Sequence, residues 1–366
     1  MLGQKGLNRF TMSEHLQMML KLVLLMNAKT VPFKKGRTDM IRLNKRQHDP
    51  TTSYKSINWN EVEDMVDKLT WEKLTSQFWL DTRMVPSNDL SDWSKLSEAE
   101  KTLFNKVFGG LTMLDTLQGE DGNAQILKDA KTQHEIAVLT NIQFMEQVHA
   151  KSYSTIFSTL CSPAEINEIF RWTEENKYLQ YKANVIRDIY LNGTPLQKKA
   201  TSVLLESFLF YSGFYAPLWY MGNGKMVNVA EIIRLILRDE SVHGTYIGYK
   251  FRLGMDELAD EERQEMTDWV YDLLLDLYQN ESRYTEELYD EVGWSENVKV
   301  FLKYNANKAL MNLGLDPFFS ETVEDVDPIV MNGISTTTSN MDFFSSVGNG
   351  YLLSDVETMK DSDYDF

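Results

Sequence analysis

The chain has 366 residues, 43% of them hydrophobic and 25% charged, with only 19 Gly and 8 Pro. This composition excludes a wholly disordered chain, a fibre and a turn-rich all-β sandwich. The formal net charge of −17 argues against wrapping of a nucleic-acid backbone. The single cysteine, Cys161, excludes an internal disulfide, so the fold needs no oxidising compartment and we expect a cytoplasmic protein.

The first 48 residues form a basic extension. They contain ten Lys or Arg and two acidic residues, a net charge of +8, whereas the rest of the chain carries −25. An apolar run over 16–26 includes Lys21 and is too short to span a bilayer. It fits either a membrane-surface or targeting helix or a poorly ordered segment. We predict a poorly ordered extension that contributes nothing to the fold.

Helices are predicted from about residue 59 to residue 315. Apolar residues recur there at spacings of three and four, as at Phe104, Phe108 and Leu111. Ser97 opens a capping box, and Pro163 stands just inside the start of another helix. No segment has the alternation of a strand, so the predicted fold class is all-α. The predicted helices lie near 58–80, 98–126, 132–160, 163–190, 195–220, 227–253, 256–287 and 295–312.

The composition changes again near the C-terminus. After Pro317 the chain becomes rich in Ser, Thr, Asn, Gly and acidic residues. Such a composition buries little apolar surface and is typical of segments that order only on binding. We therefore predict a folded domain over 49–319 and a flexible acidic tail over 320–366.

Two Glu-x-x-His pairs stand out within the helical region, Glu146 with His149 and Glu240 with His243. Positions i and i+3 project from one face of a helix, so each pair offers a carboxylate and an imidazole to the same point. The matching helix faces are otherwise apolar, and an acid on a core-facing stripe is costly unless it is paired or binds a metal. A buried salt-bridged network without metal is the alternative.

A lone acidic residue interrupts an apolar run ahead of each pair. Asp115 lies 31 residues before Glu146, and Glu206 lies 34 residues before Glu240. A lone carboxylate from each of two helices, with a Glu-x-x-His from each of two others, is the pattern of ferritin-like dinuclear metal proteins. Four carboxylates and two imidazoles suit hard or borderline ions such as iron or manganese. The sequence therefore predicts a ferritin-like bundle with a dinuclear site inside.

Tyr153 suggests what such a site would do. It lies four residues after His149, so its phenol should face the same interior. Phe210, Phe214 and Ile236 lie at helical spacing from the predicted ligands and would keep water away from a phenoxyl radical. A structural tyrosine bonded to a ligand carboxylate would show the same spacing.

From about residue 59 to the C-terminus, the sequence closely resembles the small, radical-bearing subunit of class I ribonucleotide reductase, and within it class Ib. The passages that carry the resemblance are LTMLDTLQG at 111–119, FMEQVHAKSYSTIFSTL at 144–160, LLESFLFYSGFY at 204–215, IIRLILRDESVHGTYIGYK at 232–250 and NKALMNLG at 307–314.

This resemblance implies a role for each matching residue. It implies two manganese or two iron ions per chain, with bridging carboxylates, and a stable radical on Tyr153. It also implies a proton-coupled electron path from Trp79 through Asp239 to His149, and a relay tyrosine in the tail, for which Tyr351 is preferred over Tyr364. The implied ligands are Asp115, Glu146 and His149 for one ion, and Glu206, Glu240 and His243 for the other.

The resemblance further implies a homodimer that docks its tail on a separate large subunit, where ribonucleotides are reduced to 2′-deoxyribonucleotides. Members of class Ib load manganese with an oxidant from a flavodoxin-like protein, which is the second implied partner. A ferritin-like oxidase or desaturase with its own substrate and an iron-storage protein are the alternatives. A storage protein would need the predicted ligands but would have no use for Tyr153, Trp79 or Tyr351.

Overall fold

The computed structural model of the protein describes residues 54–334. The predicted basic extension over 1–48 and the predicted relay tyrosine Tyr351 lie outside this range. The elements given below belong to one compact unit that begins at Ile57. Within residues 54–334 the regular structure is helical and contains no strand.

The helix boundaries follow from the sequence of caps and breaks. Short 3-10 turns lie at Pro86–Asp89, Asp290–Val292 and Val323–Asp325, and π-helical segments lie at Gln118–Gly122 and Leu205–Leu209. The α-helices are α1 Met65–Ser76, α2 Leu90–Trp93, α3 Glu98–Leu117, α4 Asn123–Leu127, α5 Gln133–Leu160, α6 Pro163–Glu175, α7 Lys177–Asn192, α8 Pro195–Leu204, α9 Tyr211–Gly222, α10 Val227–Asp256, α11 Asp260–Tyr289, α12 Ser295–Asn312 and α13 Pro328–Ile334.

Two predicted helices differ from the structure. The first is shorter than predicted, because Asp64 caps α1 by accepting a hydrogen bond from the backbone N–H of Val66. The predicted helix over 163–190 is divided at Asn176, whose backbone is extended and whose side chain accepts from the N–H groups of Tyr178 and Leu179. Asn176 thus ends α6 and caps α7 without the glycine or proline that usually marks such a break.

Both π segments lie next to predicted ligands. The first begins at Gln118, three residues after Asp115, where α3 ends, and the second continues α8 and contains Glu206. A π turn inserts one residue into a helix and shifts the face that the following side chains present, and such turns are frequent at functional sites. Glu206 therefore lies inside such an irregularity, and Asp115 lies three residues before the other one.

The ligand-bearing segments pack against one another in the centre of the unit. Helix α3 lies against α5, α8 lies against α10, and α5 contacts α10. The remaining helices surround this group, with α7 and α12 both packed on α11. The arrangement is a ferritin-like bundle whose ligand-bearing helix faces all point to one interior region.

The beginning of the predicted tail is part of the folded body. Helix α13 packs on α9 so closely that a Cβ on Gly333 would lie 2.0 Å from the carbonyl oxygen of Leu218. Val330 is completely buried in this contact region. The predicted tail boundary at 320 is therefore corrected: residues 320–334 pack on the bundle, because valine and glycine in this stretch allow a close apolar contact that its polar composition concealed. In the described range, no helix has the length and apolarity needed to cross a bilayer.

Candidate metal centre

Six predicted ligands converge in the interior, and each is fully buried. Helix α5 and helix α10 each contribute a glutamate and a histidine one turn apart, while α3 and the second π segment each contribute one carboxylate. The six are Asp115, Glu146, His149, Glu206, Glu240 and His243. Asp115 and His243, the first and last of the six along the chain, are more than 120 residues apart in sequence. The folding of the bundle brings them together.

The ligands form two overlapping groups of four. One holds Asp115 and His149, the other holds Glu206 and His243, and Glu146 and Glu240 belong to both. Within each group the ligand atoms lie within 4.8 Å of one another. If one ion were bound in each group, Glu146 and Glu240 would be the residues common to both, and the predicted division into two three-residue sets stays a prediction.

Each imidazole lies closer to the glutamate of the opposite motif than to its own. His149 Nδ1 is 2.9 Å from Glu240 Oε1 and 3.6 Å from Glu146 Oε2. His243 Nδ1 is 3.0 Å from Glu146 Oε1 and 3.6 Å from Glu240 Oε2. The two motifs thus interlock across the bundle axis, and the histidine rings face each other with centroids 6.0 Å apart.

The hydrogen bonding of this cluster is incomplete. Both carboxylate oxygens of Asp115 and Glu206 Oε2 have no hydrogen-bond partner within the described structure. The oxygens of Glu146 and Glu240 face only the two imidazoles, at 2.9 to 3.6 Å. Buried charges without partners are strongly unfavourable, so the donor set calls for cations. Oxygen and imidazole ligands in two overlapping groups fit two hard or borderline divalent ions.

The pKa shifts of the ligand side chains also indicate that the cluster favours nearby positive charge. Burial raises the pKa of Asp115 and of Glu206 well above the usual range, and neighbouring carboxylates raise both further. For Glu146, burial alone would raise the pKa, but the two histidines outweigh it and lower the pKa to about 2. Burial also opposes the charged form of both histidines, yet the surrounding carboxylates raise their pKa values well above normal. Burial without a nearby cation therefore disfavours the ionised form of Asp115 and of Glu206.

Hydrogen bonds connect the ligand cluster to Trp79, which follows α1. The indole N–H of Trp79 donates to Asp239 Oδ2 at 2.6 Å, and His149 Nε2 lies 3.2 Å from the same oxygen. The rings of Trp79 and His149 stack with centroids 5.9 Å apart. Gln77 also donates to Asp239, at 2.9 Å from Oδ1. This residue was not predicted, because a glutamine that follows a helix has no distinguishing sequence pattern.

Tyr153 is fully buried, and its hydroxyl lies near Asp115 without completing a hydrogen bond. Burial raises the pKa of Tyr153 well above its usual value, and the charge of Asp115 raises it further. Phe108 stacks on the Tyr153 ring with centroids 5.9 Å apart, a contact that sequence reasoning did not identify. The predicted pocket residues Phe210, Phe214 and Ile236 are fully buried, and their role around Tyr153 stays a prediction.

Comparison with known proteins bears on this geometry. The family model for the ribonucleotide reductase small chain matches residues 56–328. The chain is 52% identical to the ribonucleoside-diphosphate reductase subunit beta nrdF2 of Mycobacterium tuberculosis, over 85% of this chain and 96% of that protein. It is 48% identical to the ribonucleoside-diphosphate reductase 2 subunit beta of Escherichia coli, over 85% of this chain and 98% of that protein.

Among solved structures, the chain is similar to dimanganese(II)-NrdF of Streptococcus sanguinis. The two share 66% sequence identity, with a TM-score of 0.77. The match covers 77% of this chain and 100% of that chain. With a family model matched over more than half of its length and with relatives of this identity, the chain belongs to the ribonucleotide reductase small-chain family, as a class Ib beta subunit of ribonucleoside-diphosphate reductase.

Proposed function

We propose that the chain binds two manganese or two iron ions through the six clustered ligands and that it uses them to generate a tyrosyl radical on Tyr153. The observation that carries this proposal is the position of Tyr153, fully buried on the same helix as Glu146 and His149 and close to Asp115. The dimanganese form of the Streptococcus relative supports manganese as the resident metal. When bound, the ions supply the oxidising equivalent for Tyr153.

The residues around Tyr153 would protect the radical. Because burial keeps its pKa high, the phenol is protonated at neutral pH, so oxidation removes one proton together with one electron. Phe108 covers one face of the ring, and no water-facing surface remains on the side chain. A radical in this setting is separated from solvent reductants by the packed core.

Trp79, Asp239 and His149 would carry the oxidising equivalent out of the cluster. Their contacts are continuous, and because Asp239 accepts the indole N–H of Trp79, it would be placed to take the indole proton when Trp79 loses an electron. In the complete enzyme Tyr351 of the tail would continue the path to the large subunit, where the nucleotide is reduced. We further propose a cytoplasmic homodimer activated by a flavodoxin-like protein. A storage protein or a stand-alone oxidase would have no need for the Trp79 path.

The proposal is tested by Tyr153→Phe in the full-length chain. The variant should bind two metal ions by elemental analysis but lose the sharp tyrosyl signal in electron paramagnetic resonance, since phenylalanine cannot lose a hydroxyl proton. Tyr289→Phe is the matched control, because Tyr289 is also fully buried but donates to the backbone oxygen of Ser212. A tyrosyl signal that persists in Tyr153→Phe would place the radical elsewhere.

A further inference from the structure

Glu206 differs from the other three buried carboxylates in how its oxygens are engaged. Both oxygens of Asp115 lack a hydrogen-bond partner in the described range, and those of Glu146 and Glu240 face only the two imidazoles, whereas Glu206 lacks a partner only at Oε2. Its Oε1 accepts from the side-chain amide of Gln118 and from the hydroxyl of Ser202, the latter at 3.3 Å. One oxygen is therefore held by the protein, and the other is left for a metal ion.

The orientation of the Gln118 amide is itself determined. Its nitrogen donates to Ser202 Oγ at 2.8 Å as well as to Glu206, and its oxygen accepts from the Tyr190 hydroxyl at 2.5 Å. An amide has two N–H donors and one carbonyl acceptor, so these three contacts use both of its ends. A rotated amide would turn its carbonyl oxygen toward the Glu206 carboxylate, an unfavourable approach of two acceptors.

This network is completely buried and joins three elements. Gln118 opens the first π segment, Tyr190 lies on α7 and Ser202 lies on α8, and none of the three side chains is exposed. Gly122 makes the approach possible, since a Cβ there would lie 2.3 Å from Gln118 Oε1 and 2.8 Å from the Tyr190 ring. The π segment that follows Asp115 thus places a residue that acts on the opposite lone carboxylate.

We propose that Gln118 is a positioning residue that holds Glu206 by Oε1, so that Oε2 is presented to the ion bound with Glu146, Glu240 and His243, and that Tyr190 acts on this ion through Gln118. The inference rests on the proposed dinuclear site. It predicts an asymmetry between the two ions, since among residues 54–334 no side-chain amide donates to Asp115, the lone carboxylate of the other group.

The test is manganese(II) binding to the metal-free full-length chain, measured by the electron paramagnetic resonance of free manganese and of the bound coupled pair. Gln118→Leu keeps a similar volume but removes the donors, and it should weaken one of two ions at least tenfold, in the range of about 10 to 100-fold seen when a partner of a metal ligand is removed. The other ion should stay within about twofold, so the coupled signal should give way to that of a single bound ion.

Coupling distinguishes positioning from a general structural defect. Tyr190→Phe should weaken the same ion by a smaller factor, and it should have no further effect in the Gln118→Leu background, because its action passes through the amide. Gln143→Leu is the matched control, since Gln143 donates to the backbone oxygen of Gly119 in the same π segment and has no hydrogen bond to a ligand carboxylate within the described residues. It should bind both ions as the unmodified chain does.

The outcomes separate the two proposals. An unmodified chain that binds fewer than two ions contradicts the dinuclear site itself. If the unmodified chain binds two, the positioning role is overturned by undiminished binding in Gln118→Leu, by equal weakening of both ions, or by additive effects of Gln118→Leu and Tyr190→Phe.

Discussion

Replacement of Trp79 by phenylalanine would test the path out of the metal cluster and the energetics of Asp239 at the same time. Trp79→Phe removes the indole N–H that donates to Asp239 at 2.6 Å but keeps an aromatic ring beside His149. The two metal ions and the Tyr153 radical should be retained, because neither the ligands nor Tyr153 is changed. Nucleotide reduction with the large subunit should fall to background, because the indole is the proposed redox group.

The stability change can be worked from the contacts of Asp239. Asp239 is almost fully buried, and a hydrogen bond to a charged group contributes about 1.5 to 3 kcal/mol. Gln77 still donates to Oδ1 at 2.9 Å, and His149 remains 3.2 Å from Oδ2. Because these contacts remain, we expect loss of the indole hydrogen bond to lower the free energy of unfolding by the lower end of this range, about 1.5 kcal/mol. The smaller ring adds about 1 kcal/mol for lost packing, so the free energy of unfolding should fall by about 2.5 kcal/mol.

Trp93 offers the matched control. It is also buried, it packs edge to face on Phe104 with centroids 6.1 Å apart, and its indole makes no side-chain hydrogen bond within residues 54–334. Trp93→Phe should therefore lose only the packing part, about 1 kcal/mol, and keep reductase activity. Urea unfolding of the metal-free chains, radical quantification by electron paramagnetic resonance and a reduction assay give the three readouts. Full activity of Trp79→Phe, or equal destabilisation of both variants, would refute the reasoning.

Two further predictions concern groups away from the metal cluster. Lys182→Met should lower the free energy of unfolding by about 3 to 5 kcal/mol in chemical denaturation, because it leaves the Glu281 carboxylate buried without the ammonium that lies 2.6 Å away. Adding Glu281→Leu should restore most of the loss, and a single-variant loss below about 1 kcal/mol would contradict this. Burial raises the pKa of Cys161 to about 11, so its thiolate fraction should grow about tenfold per pH unit between pH 8 and pH 10. Iodoacetamide should modify the folded chain in proportion to that fraction, and a rate independent of pH would contradict the assignment.

The ligand types and their helices could be predicted because the relevant information is local. An i, i+3 pair shares a helix face whatever the tertiary structure, and an acid such as Glu240 on an apolar face carries its cost in the sequence itself. The lone carboxylates Asp115 and Glu206 could be predicted for the same reason, because each interrupts an apolar run. The structure brings all of these residues into one buried cluster.

Other features depend on contacts between distant segments and had no local pattern. The interlocking of His149 with Glu240 and of His243 with Glu146 arises only when α5 and α10 meet. The role of Gln118 depends on Tyr190 of α7 and Ser202 of α8, which lie 72 and 84 residues further along the chain. The packing of α13 likewise depends on a groove in α9 that its own composition does not specify.

The contacts of buried acidic side chains elsewhere in the bundle distinguish a metal centre from a metal-free ionic core. Asp67 has the ammonium of Lys250 at 2.6 Å, and Glu281 has that of Lys182 at 2.6 Å. Asp89 instead accepts hydrogen bonds from the backbone N–H of Val229 at 2.7 Å and from the Asn228 side-chain amide at 2.8 Å. The same core therefore supplies a donor or a cation wherever an acid is buried for structure.

The carboxylates of the metal ligands are paired with no such cation, and among them only Glu206 accepts hydrogen bonds from side chains other than histidine within the described residues, from Gln118 and Ser202. In the described range, no Lys or Arg forms an ion pair with any of the four ligand carboxylates, and the two histidines are the only basic side chains near them. A salt-bridged network would have to hold four acids with two imidazoles and leave most carboxylate oxygens without donors, which burial makes strongly unfavourable. Two divalent cations would balance the four negative charges and occupy those oxygens, which is why the pattern of missing partners, more than the presence of acids, identifies the centre.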